Sequence, residues 1–514
     1  MLIANRGEIA LRIIRACREA GVVSVAVYSD ADRTARHTRA ADHTARIGPP
    51  PAAESYLRGD RIIEAALRRG ADAIHPGYGF LSERADFAIA CEAAGLVFIG
   101  PSPETLAKLG DKLAARRAAA SVDVPIVPGT FEPLATDSTE ARHRVAAGAE
   151  RIGWPLLVKA AAGGGGRGMR RVDNAGGLEA AIASATREAA AAFGDGAVYL
   201  ERFVEGGRHV EVQLLGDDQG TIVALGERDC SIQRRHQKLV EEAPAPGLTT
   251  EQRSTVHALA VRMAGTVGLR NAATAEFLLT PEGDFYFLEV NARLQVEHGV
   301  TELITGLDLV QEQLAIAAGS PLSAAVLAAA SDAATPKGHA IEVRISAEHP
   351  LRDFAPSPGT ITRWREPGGP GVRVDSGVEE GTAITAEYDP LLAKLLVLAP
   401  DREAALGRLR RALDEFEIGG VQTTLPFHHW LADQSDFAAG RLRTDFVARS
   451  WDPGPSWRAS AERAIEAVAQ VAAHRGPVPG GVPRDLGSNG APPGVVVSDA
   501  WQEAARSEAV DRWP

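Results

Sequence analysis

Cysteine is scarce. Among 514 residues only Cys17, Cys91 and Cys230 carry a thiol, and no two of them form a CxxC pair. That spacing argues against a disulfide framework or a cysteine-held zinc, and it suits a reducing, cytoplasmic setting. Cys230 lies in a stretch dense with polar residues, where it is either a reactive thiol or a small buried filler. No uninterrupted apolar run approaches the ~20 residues of a membrane helix, and no signal peptide precedes IANRGEIA, so no membrane partner is expected. Long Lys/Arg runs are also missing, and the net charge is −12. Nucleic acid is therefore not expected as a partner. An acidic chain that binds an anion must concentrate its positive charge locally, which directs attention to its few lysines.

What is present is globular. A hydrophobic content of 45% and a charged content of 24% are ordinary for a packed protein, and the length implies about three domains at roughly 100–200 residues each. Residues 1–110 alternate strands (Leu2–Ala4, Val22–Tyr28, Ala71–His75, Leu96–Ile99) with helices such as 8–20, the pattern of a Rossmann-like parallel sheet. A first strand of normal length would carry more residues ahead of Ile3, so the natural start is expected upstream. Residues 111–320 hold the densest polar motifs, with a subregion at about 127–200 that has its own strand (Leu156–Ala160), glycine loop and helix (about 177–192). Residues 321–445 read as an alanine-rich helix and linker followed by a smaller α+β unit, with strands at His339–Ile345, Gly359–Arg365 and Lys394–Leu398 and a helix at 402–415. Residues 446–514 form a tail with Trp451, Trp457, Trp501 and Trp513, a helix at about 460–474 and a Pro/Gly-rich stretch that reads as linker.

Three constellations carry chemistry. Lys159 ends a buried strand and is followed by AAAGGGGRGM, including Gly165 and Gly166. Glycines let backbone N–H groups surround phosphate oxygens, and the lysine adds a point charge. The run is not GxxxxGK[ST], so it is no P-loop; alone it could equally be a hinge. Next, Thr274–Thr280 and Phe285–Asn291 flank the turn PEGD. If Thr280 faces Phe285, Glu276 stands opposite Glu289 and Thr274 opposite Asn291. Facing carboxylates repel, and a hard cation such as Mg²⁺ relieves them, so Glu276, Glu289 and Asn291 are candidate metal ligands. The alternative is an exposed acidic hairpin. Finally, Arg293, Gln295 and Glu297 follow at spacing two, on the same face if the strand persists. Arginine and amide donors suit a small carboxylate-like anion, Lys238 could add charge, and Glu297 could accept a proton. A structural salt-bridge network fits that spacing equally well. Lys112 opens a helix and would ordinarily be a surface group; His209 and His236 would ordinarily be structural.

IANRGEIALRI (3–13), HPGYGFLSE (75–83), KAAAGGGGRGMR (159–170), ERDCSIQRRHQKLVEEAPAPG (227–247), EFLLTPEGDFYFLEVNARLQVEH (276–298), GHAIEVRISAE (338–348) and YDPLLAKL (388–395) together resemble the biotin carboxylases over about residues 1–445. The resemblance implies an α/β and α+β ATP-grasp fold: a Rossmann-like N-terminal domain, a lid and a C-terminal domain that completes the site. It implies ATP, Mg²⁺ (or Mn²⁺), bicarbonate and carrier-bound biotin as cofactors and substrates. It places Lys112, Lys159, Gly165, Gly166 and His209 near the phosphates; Glu201, Arg202, Phe203 and Val204 at adenine; and Gln233 and His236 along the nucleotide. Glu276, Glu289 and Asn291 would hold metal. Lys238, Arg293, Gln295 and the Val296 amide would bind bicarbonate, and Glu297 would deprotonate it. The resulting carboxyphosphate would supply CO₂ to biotin, with Tyr78 near the biotin and Arg344 stabilising its enolate-like charge.

The sequence departs from the family at Gly299, where a proline is usual and the turn would loosen, and at His349, where an aspartate is usual. No AMKM-like biotinylation sequence is present, so the implied partners are a biotin carboxyl carrier protein and a carboxyltransferase subunit, in a homodimer or larger complex. The tail looks like the connector that precedes the carrier in longer acyl-CoA carboxylase subunits. Competing expectations are a carboxylate–amine ligase or carbamoyl-phosphate synthetase half, which would not need HPGYGFLSE or the EVRISAE arginine, and a non-catalytic scaffold copy.

Overall fold

The computed structural model describes residues 1–135, 138–161 and 169–454. Gly165, Gly166 and the expected tail helix and Pro/Gly stretch lie outside the described residues. Five parallel strands, β1 (Leu2–Ile3), β2 (Val25–Ser29), β3 (His43–Gly48), β4 (Ala73–His75) and β5 (Val97–Phe98), lie in the order β3-β2-β1-β4-β5. β1 has only two residues, yet it is central and fully buried. Gly7, at φ +65°, turns its end directly into the helix Gly7–Glu19.

A second, small sheet of β6 (Leu156–Ala160), β7 (Arg170–Val172) and β8 (Val198–Arg202), ordered β7-β6-β8, packs with the helices Thr139–Ile152 and Leu178–Phe193 around its own apolar cluster, which includes Leu156, Val158, Ile182 and Leu200. Its strands are brief, and β6 delivers Lys159 to the sheet's end.

The third sheet is the frame of the site. β9 (Arg208–Gly216), β10 (Ile222–Arg234), β11 (Gln237–Ala243), β12 (Asn271–Leu279), β13 (Phe285–Asn291) and β14 (His339–Ser346) run antiparallel in the order β13-β12-β9-β10-β11-β14. The strands Leu391–Ala399 and Val372–Ser376 continue the same sheet beyond β14. The strands expected at His339–Ile345 and Lys394–Leu398 are present as His339–Ser346 and Leu391–Ala399, and, buried along most of their length, they extend the central sheet. Gly359–Arg365 is not one strand: Gly359–Thr360 pairs with Ala383–Ile384, whereas Arg363–Arg365 pairs with Glu417–Gly419.

Two further expectations change. Residues 446–451 belong to the core rather than the tail: Phe446 and Val447 are buried, and the Trp451 ring lies 4.9 Å from Trp430 and 5.3 Å from Phe427. Gly299 does not loosen a turn, since it is buried in the first turn of the helix His298–Thr305, where an added Cβ would come within 2.4 Å of Leu396 Cδ2. Among the described residues, no helix is long and apolar enough to cross a membrane.

Candidate active site on the central sheet

Register creates the site. Arg228 on β10 stands opposite Glu211 on β9, Glu211 opposite Glu276 on β12, and Glu276 opposite Glu289 on β13. One cation and three carboxylates therefore form a row across four strands on one face. The hairpin reaches this pairing by a different route from the expected one. Leu279, not Thr280, faces Phe285, and a bulge between Glu276 and Phe277 restores Glu276 opposite Glu289 and Thr274 opposite Asn291.

A row of buried acids must be neutralised. Arg228, with no exposed side-chain surface, donates from Nε to Glu211 at 2.6 Å and also reaches Gln213, Thr274 and Thr301. Lys238, from β11 next door, donates to Glu211 at 2.5 Å, Glu297 at 2.7 Å and Glu276 at 3.0 Å. Burial alone would discharge this lysine, but the three carboxylates hold it protonated far above its ordinary range. Glu276 also accepts from Asn291 at 2.9 Å, and its other oxygen lies 2.9 Å from His209 Nε2, out of line for a good hydrogen bond. Burial would raise the Glu276 carboxyl; Lys238 and His209 overcome it and pull it well below the carboxylate range. One donor atom from each of His209, Glu211 and Glu276 lies within 4.8 Å of the others. Glu289 instead faces Lys112 at 3.0 Å, the first residue of the helix Lys112–Ser121, whose N-cap Asp111 accepts from the Leu113 and Ala114 N–H groups.

The strand does not persist through the second constellation. β13 ends at Asn291, and residues 292–297 form a loop leading into the helix His298–Thr305. The loop still keeps the alternation: Leu294 is buried on one side, while Arg293, Gln295 and Glu297 reach the polar row on the other. Arg293 donates to Glu83 at 3.0 Å, to Gln295 at 2.7 Å and to Asn291 at 3.2 Å. Gln295 points its amide nitrogen at Glu276, 3.5 Å away. Glu297 is fully buried and bridges two cations, Lys238 through one oxygen and Arg344 at 2.9 Å through the other. Burial would push this carboxyl up, but Lys238, Arg344 and Arg228 hold it well below the usual range. Arg344, on β14, is also tied to Glu241 at 2.7 Å. The Val296 carbonyl accepts from Lys394 at 2.7 Å.

Lys159 donates to Glu201 at 2.7 Å, and Arg116 donates to the other oxygen of the same carboxylate at 2.5 Å. The Glu201 side chain is therefore buried as an anchor for Lys159. Arg202 faces outward, its N–H bonded to Pro128 O, while the Phe203 N–H bonds to Pro155 O and its ring lies under Arg171; Val204 follows in the loop, half-buried. Gln233 is buried opposite Lys238, and His236 is exposed at the tip of the β10–β11 turn at φ +67°. The Tyr78 hydroxyl donates to Glu8. Cys230 is buried, and burial with the neighbouring Glu211 raises its thiol well above the ordinary range, which makes it a filler rather than a nucleophile.

Sequence reasoning missed Glu83, Glu241, Arg228 and Arg116, and gave Glu211 no role. A signal was available for some: Glu211 lies between Val210 and Val212 and Glu241 follows Leu239-Val240, strand positions where an ionised side chain needs a partner.

The geometry agrees with known proteins. Residues 1–106 match the family "Biotin carboxylase, N-terminal domain", residues 111–325 "Carbamoyl-phosphate synthase L chain, ATP binding domain", and residues 342–449 "Biotin carboxylase C-terminal domain". The middle match alone would leave the carbamoyl-phosphate reading open; the two flanking matches do not. The biotin carboxylase of Haemophilus influenzae is 49% identical, with the alignment covering 87% of this chain and 98% of that protein. Among solved structures, the biotin carboxylase–β-γ-ATP complex from Campylobacter jejuni superposes with a TM-score of 0.83 at 43% identity, over 87% of this chain and 98% of that one. The biotin carboxylase domain dimer of Hydrogenobacter thermophilus 2-oxoglutarate carboxylase, with MgADP, ADP and bicarbonate, gives 0.83 at 46% identity, over 87% and 96%. The chain belongs to the biotin carboxylase family, with its ATP-grasp fold, and is a ligase that carboxylates biotin at the expense of ATP and bicarbonate, the first half-reaction of a biotin-dependent carboxylase.

Proposed function

We propose that the reaction runs on the carboxylate row and the loop beside it. The observation that carries this assignment is Lys238, one ammonium shared by Glu211, Glu276 and Glu297 from three separate segments, with Arg344 on the far side of Glu297. Lys238, Arg293, Gln295 and the Val296 N–H bind bicarbonate, and Glu297 takes its proton. Lys238 and Arg344 keep Glu297 ionised and ready to accept. As the incoming anion draws these cations toward itself, the basicity of Glu297 rises. Arg344 then offers its guanidinium to the charge that develops on the ureido oxygen of biotin, with Tyr78 alongside.

Lys112, Lys159 and His209 serve the nucleotide phosphates together with Gly165 and Gly166; Glu201 to Val204 border adenine, and Gln233 and His236 flank the nucleotide. Glu276, Glu289 and Asn291 fit a divalent cation, Mg²⁺ or Mn²⁺. Their oxygens are hard donors, Glu276 directly opposite Glu289 and Asn291 two residues along the same strand, and Lys112 and Lys238 supply the neutralising charge that a bound cation would share. When bound, that ion supplies charge neutralisation between the carboxylates and the nucleotide phosphates.

The same assignment divides the chain into residues 1–110, 111–320 with a lid at about 127–200, 321–445 and a tail from 446, with the packed residues 446–451 moved from the tail to the third unit. The partners are a biotin carboxyl carrier protein and a carboxyltransferase subunit, the assembly a homodimer or larger complex, and the setting the cytoplasm. Phosphate release from ATP tests the whole: it should require Mg²⁺ and bicarbonate and rise with free biotin. Release stimulated by an amine or another carboxylate, and not by biotin, would overturn the assignment.

A further inference from the structure

Glu241 on β11 and Glu342 on β14 are Cα partners across antiparallel strands, so their side chains share one face of the sheet. Neither has any exposed surface. Glu241 gives one oxygen to Arg344, while its second oxygen and both oxygens of Glu342 have no hydrogen-bond partner among the described residues. The charged groups facing Glu342 come from every element packed around it. They are Glu241 on β11, Arg344 two residues along its own strand, Lys394 on the neighbouring strand, and Glu297 at the head of the helix His298–Thr305. The two cations are committed elsewhere. Arg344 bonds Glu241 and Glu297, while Lys394 bonds the Val296 carbonyl at 2.7 Å and lies 3.4 Å from Glu8 and 3.7 Å from Asp375. The space is also closed, since a Cβ on Gly299 would sit 3.4 Å from Glu342 Oε2.

Two buried carboxyls opposite each other, one of them touching no cation, cannot both ionise without a large desolvation and repulsion cost. We propose that Glu342 is a positioning residue for the carboxylation reaction: it holds a proton shared with Glu241, so that the pair presents one negative charge, not two, to Arg344. This rests on the roles assigned above to Arg344 and Glu297. Arg344 is then held by one full carboxylate at Glu241 and one at Glu297. When Glu297 is neutralised by the proton it takes from bicarbonate, Glu241 alone retains the guanidinium, and Arg344 keeps unspent charge for the ureido oxygen. A fully ionised pair would hold Arg344 back. Burial, with Glu241 nearby, keeps the Glu342 carboxyl protonated far above its ordinary range, and burial pushes Glu241 up to about 7 against the pull of Arg344.

Infrared difference spectra of the whole enzyme between pH 6 and 9 test the shared proton without turnover. The carbonyl stretch of a protonated, solvent-shielded carboxylic acid should persist at pH 8 and vanish in Glu342→Gln. The pH profile of biotin carboxylation tests the role. In Glu342→Gln, which cannot ionise, the alkaline limb should move upward by a pH unit or more relative to the unsubstituted enzyme. Absence of the acid band at pH 8 overturns the proposal, as does an unmoved alkaline limb. Should Glu342→Gln fail to fold, the band in the unsubstituted enzyme and its shift in frequency in Glu241→Gln, which removes the carboxylate that shares the proton, decide the matter; an unshifted band overturns the sharing. Because the band needs no catalysis, an enzyme that shows it yet fails to release phosphate would sink the assigned reaction and leave the acid pair standing.

Discussion

Two groups of glutamates stand in direct cross-strand register on the same sheet, and they resolve the same conflict in opposite ways. Glu211, Glu276 and Glu289 lie in a row with Arg228 at one end, Lys112 at the other and Lys238 over the middle. Glu241 and Glu342, across β11 and β14, have one guanidinium between them and share it with Glu297. Residue type and register do not decide whether a buried carboxyl is an anion; the number of cations within reach does. The first group is arranged to stay ionised, as the proposed contacts with metal, phosphate and bicarbonate require. The second keeps a proton and works through Arg344.

Glu297 joins the two groups, so its removal should have the largest effect. Glu297→Gln keeps the shape and loses the base: bicarbonate-dependent ATP cleavage should fall by about 10²–10⁴-fold, with ATP binding by calorimetry little changed. Normal turnover would remove Glu297 from its role. Lys238→Met tests whether the row depends on its shared cation. Three carboxylates lose a common partner, and breaking buried pairs in this way costs about 3–5 kcal/mol of stability, readable by denaturant unfolding. An equally stable variant would mean that Arg228 and His209 suffice. Arg344→Ala removes the link from the second group to the reaction. Biotin-dependent turnover should drop by about 10²–10³-fold, and bicarbonate-dependent ATP cleavage by less. Equal losses would argue against a role specific to the ureido charge.

Much of this was legible in the sequence where it depended on short-range pairing. Glu276 opposite Glu289 follows from a hairpin with strong turn residues, and it survived a loop one residue longer than expected because a bulge compensated. The pairing of these carboxylates with Lys112 and Lys238, both named as candidates, was not legible. Lys112 reaches Glu289 from a helix more than a hundred residues earlier, and Lys238 joins carboxylates on β9, on β12 and in the loop after β13, which come together only in the assembled sheet. Glu201 illustrates the same limit: the resemblance placed it at adenine, but its commitment to Arg116 and Lys159 depends on packing. The boundary at residue 446 failed because composition shifts gradually there, whereas Phe446, Val447 and Trp451 find their apolar partners in the fold.

The smallest expected effect separates the two groups most cleanly, because its sign differs between them. Glu297 is held below its ordinary value, so at a pH just under the ~4.3 of an unperturbed glutamate the unfolded chain binds more protons than the folded one. Its contribution to stability is therefore present above that pH and lost as pH falls toward the folded value. Glu342 is the reverse. Its folded carboxyl stays protonated while the unfolded one ionises, so its contribution is present below ~4.3 and declines as pH rises, by up to about 1.4 kcal/mol per pH unit until the buried acid itself ionises. Thermal unfolding from pH 5 to 9 should thus show Glu297→Gln less stable than the unsubstituted protein throughout. Glu342→Gln should gain on the unsubstituted protein as pH climbs, because an amide has no ionisation to forgo. Parallel stability curves for Glu342→Gln and the unsubstituted protein would mean that Glu342 is ionised in the fold and finds its counter-charge through rearrangement, and the contrast between the two groups would then collapse.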